Sequence, residues 1–312
     1  MKHVFSLLLA CLALCVSLPA MAERAKILVI PKGVRVKYWQ WVEQGAKRAG
    51  HDRDVEIIFR GPWASDDFVA QFGILKAGIE EGVDAIVIAP NHTSYSAELL
   101  EQAVQKGIKV VLIDSDMEFE DRVSLVASDN HFAGKQAAEH LISLMGGKGT
   151  ALLLHYAKDN ASTMAREKGF LDAASERGSC LTVVEAEEAG VSAGTAYYAT
   201  MEAFVSNPYI SGIFSPGEST TIGALRALRD MHLNGTVKLV GFDFTREIHE
   251  ALVEGSLNGT VLQSPYQIGY LGVMAACDAL EGKPVEKRIV TKTTVVVDPE
   301  NMFREVEALS GQ

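Results

Sequence analysis

Tyr38 and Trp39 follow the apolar run Lys26–Ile30 by a few residues. Aromatic rings near the end of a strand can stack on the apolar face of a sugar or enclose a cationic group. A helix starting here would turn Trp41, Gly45 and Arg48 to roughly one side, which assigns Trp41 to the core and puts Tyr38 and Trp39 at the helix mouth. Polar side chains come just after later apolar runs in the same way: Arg60, Asn91, Asp114, His155, Glu218, Asp243 and Gln263. These types offer donors and acceptors to a small polar molecule. Covalent or metal chemistry has less to draw on. No Gly-x-Ser-x-Gly elbow is present, and spacing suggests no Cys–His pair. His92, His131, His155, His232 and His249 lack an i, i+4 pair or a cysteine partner, so neither a metal nor a cofactor is expected. Gly146-Gly147-Lys148-Gly149-Thr150 looks superficially like a phosphate cradle, but it precedes an apolar run instead of leading from strand to helix, and reads as a turn. Thr220-Thr221 reads as local helix capping.

The elements that would position these residues are short β-rich runs with helical stretches between them. Strands are expected at Lys26–Ile30, Val55–Phe59, Ala85–Ala89, Lys109–Ile113, Val123–Ala127, Ala151–His155, Leu181–Glu185, Gly212–Ser215, Lys238–Gly241, Thr260–Gln263 and Ile289–Val297. Several, such as Val110-Val111-Leu112-Ile113, have no polar alternation, which marks strands buried on both faces of a helix-covered parallel sheet. Gly50, Gly82, Gly107, Gly178, Gly255 and Gly282 each follow an apparent helix and read as C-caps. Ser65 before Asp66-Asp67, and Thr93-Ser94, read as helix starts. Repeated strand–helix–strand units make a doubly wound sheet, and this many strands fit two sheets better than one. In such sheets ligands bind outside the carboxyl ends of the strands, where the polar residues above fall.

Lys2 and His3 precede the apolar run Val4–Leu18, which ends in the small-residue site Ala20-Met21-Ala22. A charged start, a short apolar stretch and such a site mark a secretory signal peptide, here residues 1–22, leaving a mature chain that starts at Glu23. The run is short for the ~20 residues of a membrane span. Cys11 and Cys15 leave with the signal, and Cys11 sits too early for lipid attachment. Only Cys180 and Cys277 remain, too few for a disulfide framework. The net charge of −11 argues against nucleic acid or anionic lipid as partner, and 48% hydrophobic residues supply a substantial core. At ~150 residues per domain, the length suggests two.

The chain resembles the periplasmic sugar-binding proteins of the ribose-binding type, the type I solute-binding proteins. The resemblance rests on Tyr38-Trp39 ahead of Gly45-Ala46, Gly82–Pro90, Gly107–Asp114, Ala127-Ser128-Asp129-Asn130 with Ala133-Gly134, Arg166–Phe170, Ile222–Leu225, Val240–Asp243 and Gln263–Gly269. It implies two doubly wound parallel-sheet lobes joined by a hinge of three chain crossings near Asp129, Ser264 and Thr291. The lobes would be 23–128 with 265–291, and 129–264 with 292–312. By similarity the ligand residues map onto Tyr38, Trp39, Asp114, Arg166, Asp243 and Gln263. These types suit a polyol, since a carboxylate accepts from adjacent hydroxyls, arginine donates from a rigid fork, and glutamine does both.

Three positions depart from the ribose-binding pattern. Val36 replaces Asn, Ser115 followed by Asp116 replaces Arg, and Gly217-Glu218 replaces Asn-Asp. Ribose itself is therefore not the expected ligand. Asn91, Asp116, His155, Tyr156, Asn160 and Glu218 are candidates to replace the lost contacts, and Arg60 and Trp63 to add a wall. The implied activity is capture, without catalysis, of a small carbohydrate or polyol in the periplasm by a monomer that supplies the membrane permease of an ABC importer. A sensor subunit serving a membrane histidine kinase or chemoreceptor is the alternative. An exported hydrolase using Asp114 and Asp243 is a distant third, because fully closing lobes leave no room for a polymer. A cytoplasmic repressor core is disfavoured by the export signal.

Overall fold

The structure, a computed structural model, describes residues 23–176, 180–186 and 189–310. The expected signal peptide and the C-cap at Gly178 fall outside them. The first lobe is built from β1 (Lys26–Ile30), α1 (Lys37–Arg53), β2 (Glu56–Phe59), α2 (Phe68–Glu81), β3 (Ala85–Ile88), α3 (Ala97–Gln105), β4 (Lys109–Ile113) and β5 (Ser124–Ser128). The second follows with α4 (Asn130–Leu144), β6 (Lys148–Leu154), α5 (Ala161–Glu176), β7 (Cys180–Ala186), α6 (Ala193–Ser206), β8 (Ile210–Phe214), α7 (Glu218–Asp230), β9 (Lys238–Phe242), α8 (Arg246–Val253) and β10 (Gly259–Leu262). The chain closes with α9 (Pro265–Leu280), β11 (Arg288–Thr291), β12 (Thr294–Val296) and α10 (Pro299–Ser310).

The strands form two six-stranded sheets, β2-β1-β3-β4-β5-β11 and β7-β6-β8-β9-β10-β12. Both have the doubly wound order, whose switch points lie between β1 and β3 and between β6 and β8. The continuous apolar runs are buried on both faces as their composition requires. Ile27 and Val29 of β1 pack under α1 and α9, while Leu28 and Ile30 face α2 and α3. In the second lobe Leu152 and Leu154 face α6, α7 and α8, while Ala151 and Leu153 face α4 and α5.

The run Ile289–Val297 is two strands, not one. β11 pairs in parallel with β5, and β12 pairs antiparallel with β10 as an edge strand of the other sheet. The link Lys292-Thr293 between them is one of three passages between lobes; the others follow β5 and β10. The passages touch one another: Ser264 Oγ donates to the Lys292 carbonyl at 2.8 Å, and Ser128 Oγ lies 3.4 Å from Thr291 Oγ1. Gly82, Gly107, Gly255 and Gly282 take the expected left-handed conformation, but Gly50 lies inside α1, which closes at Asp54 (φ 50°). A Cβ on Gly50 would collide with Ile57, so that glycine serves a close helix–strand approach. Helix α2 is capped by Asp67 and not Ser65, and Ser96 precedes α3. The glycine-rich segment at 146–149 is a turn into β6, with positive φ at Gly146, Gly147 and Gly149.

Each lobe has a helix pair in near backbone contact with glycine on both partners. A Cβ on Gly45 of α1 would meet the Tyr266 carbonyl of α9, and one on Gly269 would meet the Val42 carbonyl. In the second lobe Gly134 of α4 abuts the Arg166 carbonyl of α5, and Gly169 abuts that of His131. The second crossing sets the position of Arg166. Overpacking such contacts costs ~1–3 kcal/mol. Gly169→Ala and Gly269→Ala should each lower the urea-unfolding free energy by that amount. Gly73→Ala, in open space on α2, should instead gain ~0.4–1 kcal/mol.

Candidate functional site

The carboxyl ends of the two sheets face each other across a cavity of about 650 Å³, within the range of small-molecule sites. Lys32, Tyr38, Trp39 and Asp114 line it from the first lobe; Asn160, Arg166, Glu218, Asp243 and Gln263 line it from the second lobe and the crossing after β10. Two acids occupy equivalent places. Asp114 ends β4 with φ 64° and Asp243 ends β9 with φ 68°, both in the left-handed region that aspartate tolerates better than most residues. Each amide still bonds to the neighbouring strand, to Val126 O at 2.9 Å and Val261 O at 2.8 Å, while the turn directs the carboxylate into the cavity.

On the first lobe Asp114 is fully engaged by protein. Tyr38 donates its hydroxyl to Oδ1 at 2.8 Å, and the Lys32 ammonium sits 2.8 Å from Oδ2. Burial alone would raise the Asp114 carboxyl, but Lys32, Arg166 and the Tyr38 hydroxyl hold it below the usual carboxylate range. Burial pulls Lys32 down and the Tyr38 phenol well up. The edge-to-face packing of Tyr38 on Trp39, with centroids 4.9 Å apart, stiffens the aromatic wall.

The second lobe is organised by Arg166. Its Nε donates to Asn130 Oδ1, its Nη1 to the Pro216 carbonyl and its Nη2 to Gln263 Oε1, each at 2.8 Å, and its Cζ lies 4.4 Å from the Phe242 ring centroid. Gln263 passes the polarity on, donating to Asp243 Oδ1 at 2.6 Å. Burial pushes the Asp243 carboxyl up against the pull of Arg166 and Gln263. Glu218, first residue of α7, has a buried Oε2 without a protein partner. Burial, reinforced by Asp243, pushes its carboxyl up to about 8, so at pH 7 it is chiefly a neutral acid that can donate a hydrogen bond. In the interior Lys32 therefore pairs with Asp114, and Arg166 is linked through Gln263 to Asp243.

Of the site positions expected from the sequence, Tyr38, Trp39, Asp114, Arg166, Glu218, Asp243 and Gln263 share this wall, as do Tyr156, Asn160 and Trp63. Trp63 is 68% exposed at the mouth, with Arg35 stacked 5.2 Å from its centroid. Asn91 and Asp116 do not line the cavity. Asp116 turns outward, accepts from the Met117 amide and lies 3.5 Å from Arg122. Asn91 is buried behind the wall, where its backbone N–H donates to Gln71 Oε1 at 3.2 Å. Arg60 pairs with Glu81 on the surface. His155 is clamped between Glu167 and Glu185, each at 2.8 Å, and the Glu167 hydrogen bond leads in raising it to about 9. That contribution is whole below pH ~6.5 and is lost as pH rises through about 9, a structural role. Trp41 is half-buried between the lobes and stacks on Phe244 at 6.0 Å, so it is not core. Thr220 and Thr221 do not cap α7, which starts from Gly217 with no side-chain cap; their hydroxyls donate back to the Gly217 carbonyl at 3.0 and 2.8 Å. Lys32 was not among the sequence candidates. It stands just beyond β1, at the switch point, and its ammonium lies 2.6 Å from Ser115 Oγ.

Residues 27–284 match the family described as periplasmic binding protein domain. The chain is 28% identical over 248 residues to a ribose import binding protein of Bacillus subtilis, spanning 80% of this chain and 79% of that one. It is similar in structure to a carbohydrate transporter solute binding protein of Agrobacterium radiobacter in complex with D-arabinose, with TM-score 0.86, 28% identity and coverage of 93% and 99%. It is also similar to the periplasmic component of an ABC-type sugar transport system of Hahella chejuensis, with TM-score 0.84, 32% identity and coverage of 88% and 100%.

Glu218 makes stability fall with pH. Unfolded, the acid ionises near its ordinary 4.5; folded, it holds its proton to about 8. Its stabilisation is therefore complete below pH 4.5 and is lost as pH rises through about 8. Urea titrations at pH 5, 7 and 9 should show a decline in the parent that Glu218→Gln flattens.

Proposed function

From its membership of the periplasmic binding protein family, we propose that the chain captures a small neutral carbohydrate or polyol between its lobes and hands it unaltered to the membrane permease of an ABC importer. The observation that carries this reading is the cavity itself: flat rings on one side, and on the other the linked donors and acceptors Arg166, Gln263 and Asp243, with Glu218 Oε2 left unpartnered among the described residues. Tyr38 and Trp39 cover an apolar sugar face, Asp243 accepts from hydroxyls, and the remaining guanidinium N–H groups of Arg166 and the Glu218 acid donate. Closure strips these groups of water, so each hydroxyl that fails to meet one costs ~1–3 kcal/mol, which is the basis of selectivity. Catalysis gains no support, since the Asp114 carboxylate is spent on Lys32 and Tyr38.

We take the lobes as 23–128 with 265–291 and 129–264 with 292–312, and the working form as a periplasmic monomer released from its leader after Ala22. No helix among the described residues is long and apolar enough to cross a membrane. The names of the relatives, a ribose importer's binding protein and an arabinose-bound transporter component, favour an importer over a sensor kinase as the client. A thermal-shift screen of the mature protein over pentoses, hexoses and polyols tests the reading. A ligand at 100-fold its dissociation constant should add about 2.7 kcal/mol of stability, and Asp243→Ala should abolish that shift. A parent protein indifferent to every neutral sugar and polyol would end it.

A further inference from the structure

Lys32 does more than neutralise Asp114. Its three N–H groups are also shared among Ser115 Oγ at 2.6 Å within its own lobe and, across the cleft, Asn160 Oδ1 at 3.1 Å and Ser162 Oγ at 3.0 Å. The Ser162 amide reaches back to Ser115 Oγ at 3.2 Å. Lys32, Ser115, Asn160 and Ser162 are all at least 95% buried. The lobes are thus joined by a charge-assisted network made entirely of protein atoms. Such hydrogen bonds are among the stronger ones, and a buried ammonium stripped of acceptors is costly. Opening the lobes would take Asn160 and Ser162 away from Lys32 and return their polar groups to water. Two further contacts bridge the same gap without a ligand: Trp41 on Phe244, and His92 Nε2 at 3.6 Å from Asp159.

We infer that Lys32 is the pin of a ligand-independent latch, a positioning residue that holds a substantial fraction of the empty protein closed by hydrogen-bonding from the first lobe into Asn160 and Ser162 of the second. The inference rests on reading the cleft as a closing ligand site. In this arrangement the cargo need not supply all the free energy of closure, because part of it is built into the protein.

The test uses mature protein unfolded and refolded to strip any bound solute, followed by small-angle X-ray scattering without ligand. The parent curve should match the curve calculated from the closed structure. Asn160→Ala with Ser162→Ala removes the acceptors while leaving the Lys32–Asp114 pair intact. The closed-to-open ratio should fall on the order of tenfold, the worth of one such hydrogen bond, and the curve should require an added open population. Ser115→Ala removes the other acceptor, should shift the ratio the same way, and serves if the double variant does not fold. A ligand-free parent that is already open, or variants as closed as the parent, would overturn the latch. With no ligand present, that result is independent of whether a sugar is the cargo, which the thermal-shift screen decides.

Discussion

Charge buried away from water must be matched at close range, and the interior of this protein is arranged around that requirement. Asp114 is tolerable inside the molecule because Lys32 lies 2.8 Å away. Lys32 in turn needs acceptors for its remaining donors, and two of them come from the opposite lobe. Among the described residues no carboxylate pairs directly with Arg166. Instead Gln263 links it to Asp243, with Asn130 and the Pro216 carbonyl taking the other donors. Removing one member leaves another buried and unmatched, so the groups that shape the cavity also contribute to holding the lobes in register. The acid left over, Glu218, escapes the requirement by keeping its proton.

Much of the architecture was legible because burial on both faces leaves a simple imprint. Runs such as Ile86-Val87-Ile88 have no polar member, so they could only be central strands, and the positions just beyond them had to lie along the cleft. Asp114 and Asp243 were found on that logic. The strand ends at Arg60 and His155 obeyed the same logic and led elsewhere, because a long side chain with an acid in reach on its own lobe pairs there. Asp116 misled for a related reason. Two residues beyond Asp114, it lies past a left-handed turn that sends one carboxylate inward and the other out to Arg122.

What sequence reading missed is long-range pairing. A single lysine after a strand has no distinctive spacing, and the partners of Lys32 lie 83, 128 and 130 residues away. Nothing at Lys292-Thr293 resembles a turn signal, neither glycine nor proline, so β11 and β12 read as one strand. The glycines of the two helix crossings were visible only as parts of a family resemblance. Their physical reason, a carbonyl oxygen of the facing helix where a methyl would sit, emerges only once the helices are packed.

The passage from β11 to β12 constrains how the halves can move. Its two ends are stitched into different sheets with only Lys292 and Thr293 between them, and the Lys292 carbonyl is held by Ser264 of a neighbouring passage. So short a tether admits little translation, and a change of posture must be absorbed as torsion in a handful of backbone angles at these strand ends. The molecule should therefore flex like a spring clip bent at its base, with excursions smallest beside Thr293 and largest at the rim where Trp63 stands.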